Sequence, residues 1–214
     1  MGMPTKDIVN LPECDDPDRF VVNGGSVGVA ASGLRVVENF LDMGHLAFVH
    51  AGILGDEQHA EVRKYKVESL KGGGLAATGC LFYQPAASPV AKQGADVAYA
   101  YTALRPYTIM LRKANPVQPN RSDMIALFVQ PLAEDGSVAH LLLAYLKDNL
   151  NAAALRRFAH LIFGQDKPIL ENQVPKRLPL GARSEISVES DAASTAYRRW
   201  LRLSRVRYGA VPEN

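Results

Sequence analysis

The segment ENFLDMGHLAFVH, Glu38 to His50, sets an aspartate and two histidines into a stretch that otherwise reads as a buried helix. Asp42 and His45 are i and i+3, so on a helix they share a face. The carboxylate can then accept the second N–H of the imidazole, which is how a metal-ligating histidine is usually oriented. His45 and His50 are five residues apart, which on a straight α-helix leaves them about 140° out of phase, too far round to share one ion. A metal site here therefore requires distortion. Either a π-bulge brings i and i+5 together, or the helix loosens at Gly44, just before the first histidine. Spacing alone leaves the plainer reading open: two hydrogen-bonded core histidines beside an acid.

The elements that would hold this segment follow from periodicity. Helical spacing begins near Leu34, after 33 residues rich in Pro, Gly and Asp in which NGGSVG, Asn23 to Gly28, suggests a turn between short strands. From Glu61 the pattern changes to short alternating or continuous apolar runs: EVRKYKVES, LAATGCLFY, VAYAYTAL, YTIMLRK, MIALFVQPLA and VAHLLLAYL. These predict six strands. The last two flank EDGS, Glu134 to Ser137, where Asp-Gly is a strong hairpin signal, so an antiparallel sheet is expected. Beyond the sheet, Asn151 can cap a helix AAALRRFAHLIF that Gly164 would end, and Pro168 is placed to open another through ILENQ. A final helix is expected from about Ser190 to Val206. Ala193, Ala196, Tyr197, Trp200 and Leu201 form its buried stripe, and Arg198, Arg199, Arg202 and Arg205 fall largely on a solvated basic face.

The opening segment resembles the iron-binding segment of Rieske non-heme iron oxygenases, with Asn39, Asp42, His45 and His50 in that family's N-x2-D-x2-H-x4-H order. In the vanillate demethylase and methylxanthine N-demethylase branch, the third iron ligand is an aspartate in a local E-D-K sequence followed by apolar residues and an acid. Here QDKPILENQVP carries that role to Asp166, with Gln165 departing from the branch's usual glutamate. SVESDAASTAYRRWL also resembles the branch's C-terminal helix, so the similarity runs from about Asn10 to about Arg205. The resemblance implies an α+β helix-grip (START-like) domain, a curved antiparallel sheet with flanking helices. It implies Fe(II) at His45, His50 and Asp166, Asn39 near the open side of the metal, and Asp42 as the residue that bridges to the electron donor. It also implies a reaction: hydroxylation of a substrate methyl group, with N- or O-demethylation of a small aromatic or methylxanthine. Ring hydroxylation, or a metal-free binding module on the same fold, are the alternatives.

What the sequence lacks bears on the electron supply. Neither the C-x-H nor the C-x2-H pair that holds a two-iron two-sulfur cluster is present, and MGMPTKDIVNLPE resembles the linker leaving a Rieske domain. The expectation is one catalytic domain over 1–214 without an N-terminal Rieske domain. Electrons would then come from NADH through the Rieske cluster of a partner reductase, in a homo- or hetero-oligomer. The glycines of KGGGLAATG precede a strand and do not make G-x-G-x-x-G, so NADH is expected to bind elsewhere.

A net charge of +2, from 24 Lys+Arg against 22 Asp+Glu, gives no footprint for nucleic acid. No apolar run suits a membrane span, and the N-terminus does not read as a signal peptide, so a cytoplasmic location is expected. Cys14 and Cys80 have no partner at ligand or redox spacing and are expected as free thiols. His59, His140 and His160 are expected to be structural. Phe82, Tyr83, Tyr99, Tyr101 and Phe128 are the candidate aromatic wall of a pocket.

Overall fold

Seven strands form one antiparallel sheet in the computed structural model, which describes residues 7–86, 93–115, 118, 120–147, 151–181 and 184–212. The first six residues of the linker-like start lie outside the described residues. The strands are β1 (Arg19–Val29), β2 (Lys66–Ser69), β3 (Leu75–Gln84), β4 (Ala95–Arg105), β5 (Thr108–Ala114), β6 (Ser122–Ala133) and β7 (Gly136–Leu146). Their order is β1-β7-β6-β5-β4-β3-β2, so the six strands read from the sequence are a meander and β1 pairs with its last member. Two residues, Glu134 and Asp135, connect β6 to β7, as the Asp-Gly signal requires.

β1 corrects the reading of NGGSVG as a turn. The segment lies inside one long strand, and the register slips between Asn23 and Gly25 as a bulge against Leu142 and Leu141. Gly25 has φ +101°, and a Cβ there would lie 2.2 Å from His160 Nε2. The glycines therefore admit a closely packed helix and the extra residue of the bulge.

Four helices accompany the sheet: α1 (Gly33–Leu41), α2 (Leu46–Val49), α3 (Ala152–Asn172) and α4 (Ala192–Leu203). Ser32 begins α1 by accepting the Arg35 N–H at 3.2 Å, and Asn151 begins α3 by accepting that of Ala154 at 2.8 Å. Alternate positions of the strands point at the helices: Tyr99, Tyr101 and Ala103 from β4, Ile109 and Leu111 from β5, Leu127 from β6, Leu141 from β7. They meet Leu34, Val37 and Leu41 of α1, Phe163 and Leu170 of α3, and Ala193, Tyr197 and Leu201 of α4 in one core. Each such buried large apolar side chain contributes roughly 1.5–3 kcal/mol relative to exposure. This is the expected α+β arrangement, a curved sheet gripping helices on one face.

α3 is a single helix of 21 residues, not two. Gly164 does not end it and Pro168 lies within it, costing one backbone hydrogen bond. Tertiary packing overrides that local cost, because Leu155, Phe163, Asp166 and Leu170 bury one continuous stripe. α4 also departs from expectation at its basic face. Arg198 contacts both Glu38 and Glu185, and Arg35, 3% exposed, joins the same two acids at 3.2 and 2.6 Å. This network ties α4 to α1 and the segment before α4, so Arg198 is half-buried structure and not a solvated charge. Among the described residues no helix is long and apolar enough to cross a membrane.

Candidate metal centre

The helix carrying the acid and histidines breaks where the metal reading needs it to. α1 stops at Leu41, and Asp42 is extended, with φ −72° and ψ 127°. The Asp42 carboxylate accepts the Gly44 N–H at 2.8 Å, a local turn that competes with the helix for the chain. The helix restarts after His45, whose carbonyl accepts from Phe48 and Val49 at 3.0 and 2.8 Å, and His50 closes that short turn. Of the two distortions that spacing allowed, the structure adopts the loosening just before the first histidine. The break removes the 140° discrepancy: the two imidazoles stand 5.0 Å apart, centroid to centroid, with their planes at 69°.

Asp166 reaches the same point from α3. Its Oδ1 lies 3.4 Å from His45 Nε2 and 3.2 Å from His50 Nε2. One donor atom from each of His45, His50 and Asp166 falls within 4.8 Å of the others, and Asp166 Oδ1 is buried without a hydrogen bond that would satisfy it. Ligands about 2.1 Å from an ion and at right angles to one another stand about 3 Å apart, close to these separations. Two imidazole nitrogens and one carboxylate oxygen thus fit one face of a divalent transition metal, with the remaining positions open.

The electrostatics agree with the geometry. Burial pulls the His45 imidazolium down, but the carboxylates of Asp166 and Asp42 outweigh it and lift the group to about 9. Burial likewise pushes Asp166 up, yet contacts with His45 and His50 hold its carboxyl well below the usual range. Asp42 is lowered too, with burial opposed by His45 and the Gly44 N–H. Two carboxylates around buried imidazoles favour positive charge at this point.

Each imidazole faces a side-chain oxygen with its far nitrogen, but only His50 is hydrogen-bonded there. Asp42 Oδ2 lies 3.4 Å from His45 Nδ1, at the long end of contact, and its side chain is 35% exposed, so one edge of the carboxylate faces outward. His50, 1% exposed, places Nδ1 2.9 Å from Gln165 Oε1. Asn39, in the last turn of α1, lines the same pocket as His45, His50 and Asp166. All five sequence-predicted residues, Asn39, Asp42, His45, His50 and Asp166, therefore converge.

The pocket over this floor is walled by the sheet and by α3. Tyr99 and Tyr101 line it as expected; Phe82, Tyr83 and Phe128 do not. Strand phase separates Tyr83 and Phe128 from Tyr99 and Tyr101, which share the core-facing side of β4; Phe82 is on that same side but one strand further along the sheet. Phe82 packs behind Tyr99 at 5.3 Å, Tyr83 stacks on His59, and Phe128 belongs to the opposite face. Leu155, Phe158, Ile162 and Phe163 supply the α3 wall, and Tyr145 and Lys113 come from β7 and β5. The α3 residues fall in a helix that the sequence did predict, but ending it at Gly164 hid that their stripe runs on to Asp166. Their i, i+3, i+7, i+8 spacing continues to Asp166 and was the available signal. Lys113 is 3% exposed and 5.9 Å from the Tyr99 ring, and burial pulls it down to about 8.

The other histidines lie away from this centre. His59 pairs with Asp56 at 2.7 Å, His140 with Ser26 at 2.7 Å, and His160 packs on the β1 bulge. Cys14 and Cys80 are free thiols.

A family model for the vanillate O-demethylase oxygenase C-terminal domain matches residues 29–205. The chain is 46% identical over 207 residues to the probable methylxanthine N7-demethylase NdmC of Pseudomonas sp. (strain TJI-51), covering 96% of this chain and 73% of that one. It is 27% identical over 186 residues to the methylxanthine N1-demethylase NdmA of Pseudomonas putida, covering 80% and 47%. The solved structure of Pseudomonas putida CBB5 NdmA with caffeine matches with a TM-score of 0.76 at 26% identity, covering 92% of this chain and 55% of that one. The chain spans about half the length of NdmA.

Proposed function

Because the chain belongs to the family of vanillate O-demethylase oxygenase C-terminal domains, we propose that it is the iron-bearing part of an oxygenase that N-demethylates a methylxanthine. The observation that carries this reading is the convergence of His45, His50 and Asp166 at the floor of a largely apolar pocket. His45 and His50 Nε2 and the Asp166 carboxylate would hold Fe(II). Iron held there would supply dioxygen activation beside the substrate, so that one oxygen atom would enter the methyl group and the other leave as water, with two electrons and two protons consumed. The resulting N-hydroxymethyl compound loses formaldehyde and leaves N–H.

The chain's own residues bind, orient and exclude water. Tyr99, Tyr101, Phe158 and Phe163 offer flat apolar surface for a planar heteroaromatic ring, and Lys113 is a donor for its carbonyl oxygens. Asn39 supplies a polar group beside the open side of the metal. Asp42 orients His45 with one edge, and its exposed edge is the contact for an imidazole of the electron donor. That donor is a reductase carrying a two-iron two-sulfur Rieske cluster and drawing on NADH. Relatives named as methylxanthine demethylases support the substrate class.

Product analysis tests the reading. With iron, dioxygen, a methylxanthine and the cognate NADH-linked reductase, formaldehyde and the demethylated xanthine should form one for one. Without the reductase nothing should turn over. A ring-hydroxylated product, or an iron-free protein that binds the xanthine unchanged, would refute it.

A further inference from the structure

Asp166 and Gln165 are neighbours on α3, and both address the same imidazole. Asp166 Oδ1 lies 3.2 Å from His50 Nε2, while Gln165 Oε1 lies 2.9 Å from His50 Nδ1 on the other side of the ring. A ligand imidazole that gives its Nε2 lone pair to a cation must carry its proton on Nδ1, and that proton needs an acceptor in so buried a place. Only the carbonyl end of the Gln165 amide can serve, since its NH2 end would set N–H against N–H.

The two ligand histidines thus have unlike supports. Behind His45 stands a carboxylate, partly open to solvent; behind His50, itself 1% exposed, stands the neutral amide of a partly buried Gln165. Two anions, Asp166 and Asp42, already face the divalent ion. A carboxylate at 165 would make a third, partly buried, and would favour the trivalent state of the metal.

We propose that Gln165 is a positioning residue: it locks His50 in the tautomer that coordinates through Nε2, and its neutrality keeps the bound iron easy to reduce by a separate electron donor. This rests on the reading of His50 as a metal ligand given above.

The test compares wild-type protein with Gln165→Met, which keeps the length but loses the acceptor, and Gln165→Glu, which restores an acceptor with charge. Co(II) affinity is measured anaerobically by competition with a chromogenic chelator, and the Fe(III)/Fe(II) potential by redox titration of the iron-loaded proteins. Gln165→Met should bind Co(II) about 10- to 100-fold more weakly than wild type, the usual loss when a ligand's outer partner is removed. Gln165→Glu should recover that affinity or exceed it, with a potential below that of wild type. A role in packing alone predicts a different pattern, with lowered unfolding temperatures of the metal-free variants and no rescue of affinity by Glu. Co(II) binding by Gln165→Met within about threefold of wild type overturns the proposal. So does a Gln165→Glu potential equal to or above wild type. Wild-type protein that takes up neither Co(II) nor Fe(II) overturns the metal reading itself, and this one with it.

Discussion

A metal at the proposed site of His45, His50 and Asp166 would have to expel a proton, and the structure says how strongly pH should control it. Asp166 and Asp42 lift His45 from 6.5 to about 9, and only neutral imidazole can coordinate. At pH 7 about one metal-free molecule in 100 has His45 neutral, so apparent affinity falls about 100-fold, or about 2.7 kcal/mol, below its value above pH 9. Apparent affinity should therefore climb about tenfold per pH unit from 6.5 to 9 and then level off. Co(II), stable to air oxidation on the assay's timescale, can be titrated calorimetrically in buffers of differing ionisation enthalpy to count the protons released. About one proton per ion is expected at pH 7 and almost none at pH 10. Metal-free stability should move the opposite way. Because the folded value is raised, the stabilisation is complete below 6.5 and is lost as pH rises through about 9, by at most about 3 kcal/mol. Affinity that is flat between pH 6.5 and 9, with no proton released, would refute the idea that these carboxylates trap a proton in the metal's place.

Asp42→Asn should leave iron bound while reductase-coupled turnover falls by orders of magnitude; iron analysis beside a coupled formaldehyde assay checks this, and wild-type turnover would confine Asp42 to helix termination. Glu185 is pushed up by burial, but Arg35 and Arg198 pull it down further, to about 2, so its stabilisation is present above about 4.5 and lost as pH falls through about 2. Glu38 in the same network is pushed up by its deeper burial, so Glu185→Gln should flatten the acid limb of a pH–stability curve measured by urea unfolding. Arg35→Met should destabilise the fold by about 3 kcal/mol in the same assay, since it strips a partner from buried Glu38. Gly25→Val meets both a φ of +101° and His160 at 2.2 Å, and should cost about 3 kcal/mol of unfolding free energy in urea while leaving His45, His50 and Asp166 in place.

Much of the site could be read before any coordinates. The order of Asn39, Asp42, His45 and His50, joined to Asp166 by resemblance, named all five residues that meet at the pocket floor, and short alternating or continuous apolar runs named six of the seven large-sheet strands. Those signals are local: a hydrophobic period and a Gly, Asp or Asn at a turn or cap are fixed by neighbours within a few residues. β1 escaped because its glycines serve a contact more than a hundred residues away, with His160, and read alone they look like a turn. α3 was divided for a similar reason, since Gly164 and Pro168 are helix breakers by local propensity and are overruled by the stripe that Leu155, Phe163, Asp166 and Leu170 bury.

The sequence by itself determined which donor types are present, an acid and two imidazoles too far out of phase for an unbroken helix. It could not decide how the phase is mended. That depends on Asp42 turning its carboxylate onto the Gly44 N–H, and on α3 crossing the sheet so that Asp166 meets His45 and His50 Nε2 within 3.4 Å. Nor could it tell that Gln165 backs His50, or that Tyr99 faces the pocket while Phe82 stands behind it. Such facts are fixed by the place of each strand in the sheet and by helix rotation, which only the packing of distant segments against one another sets.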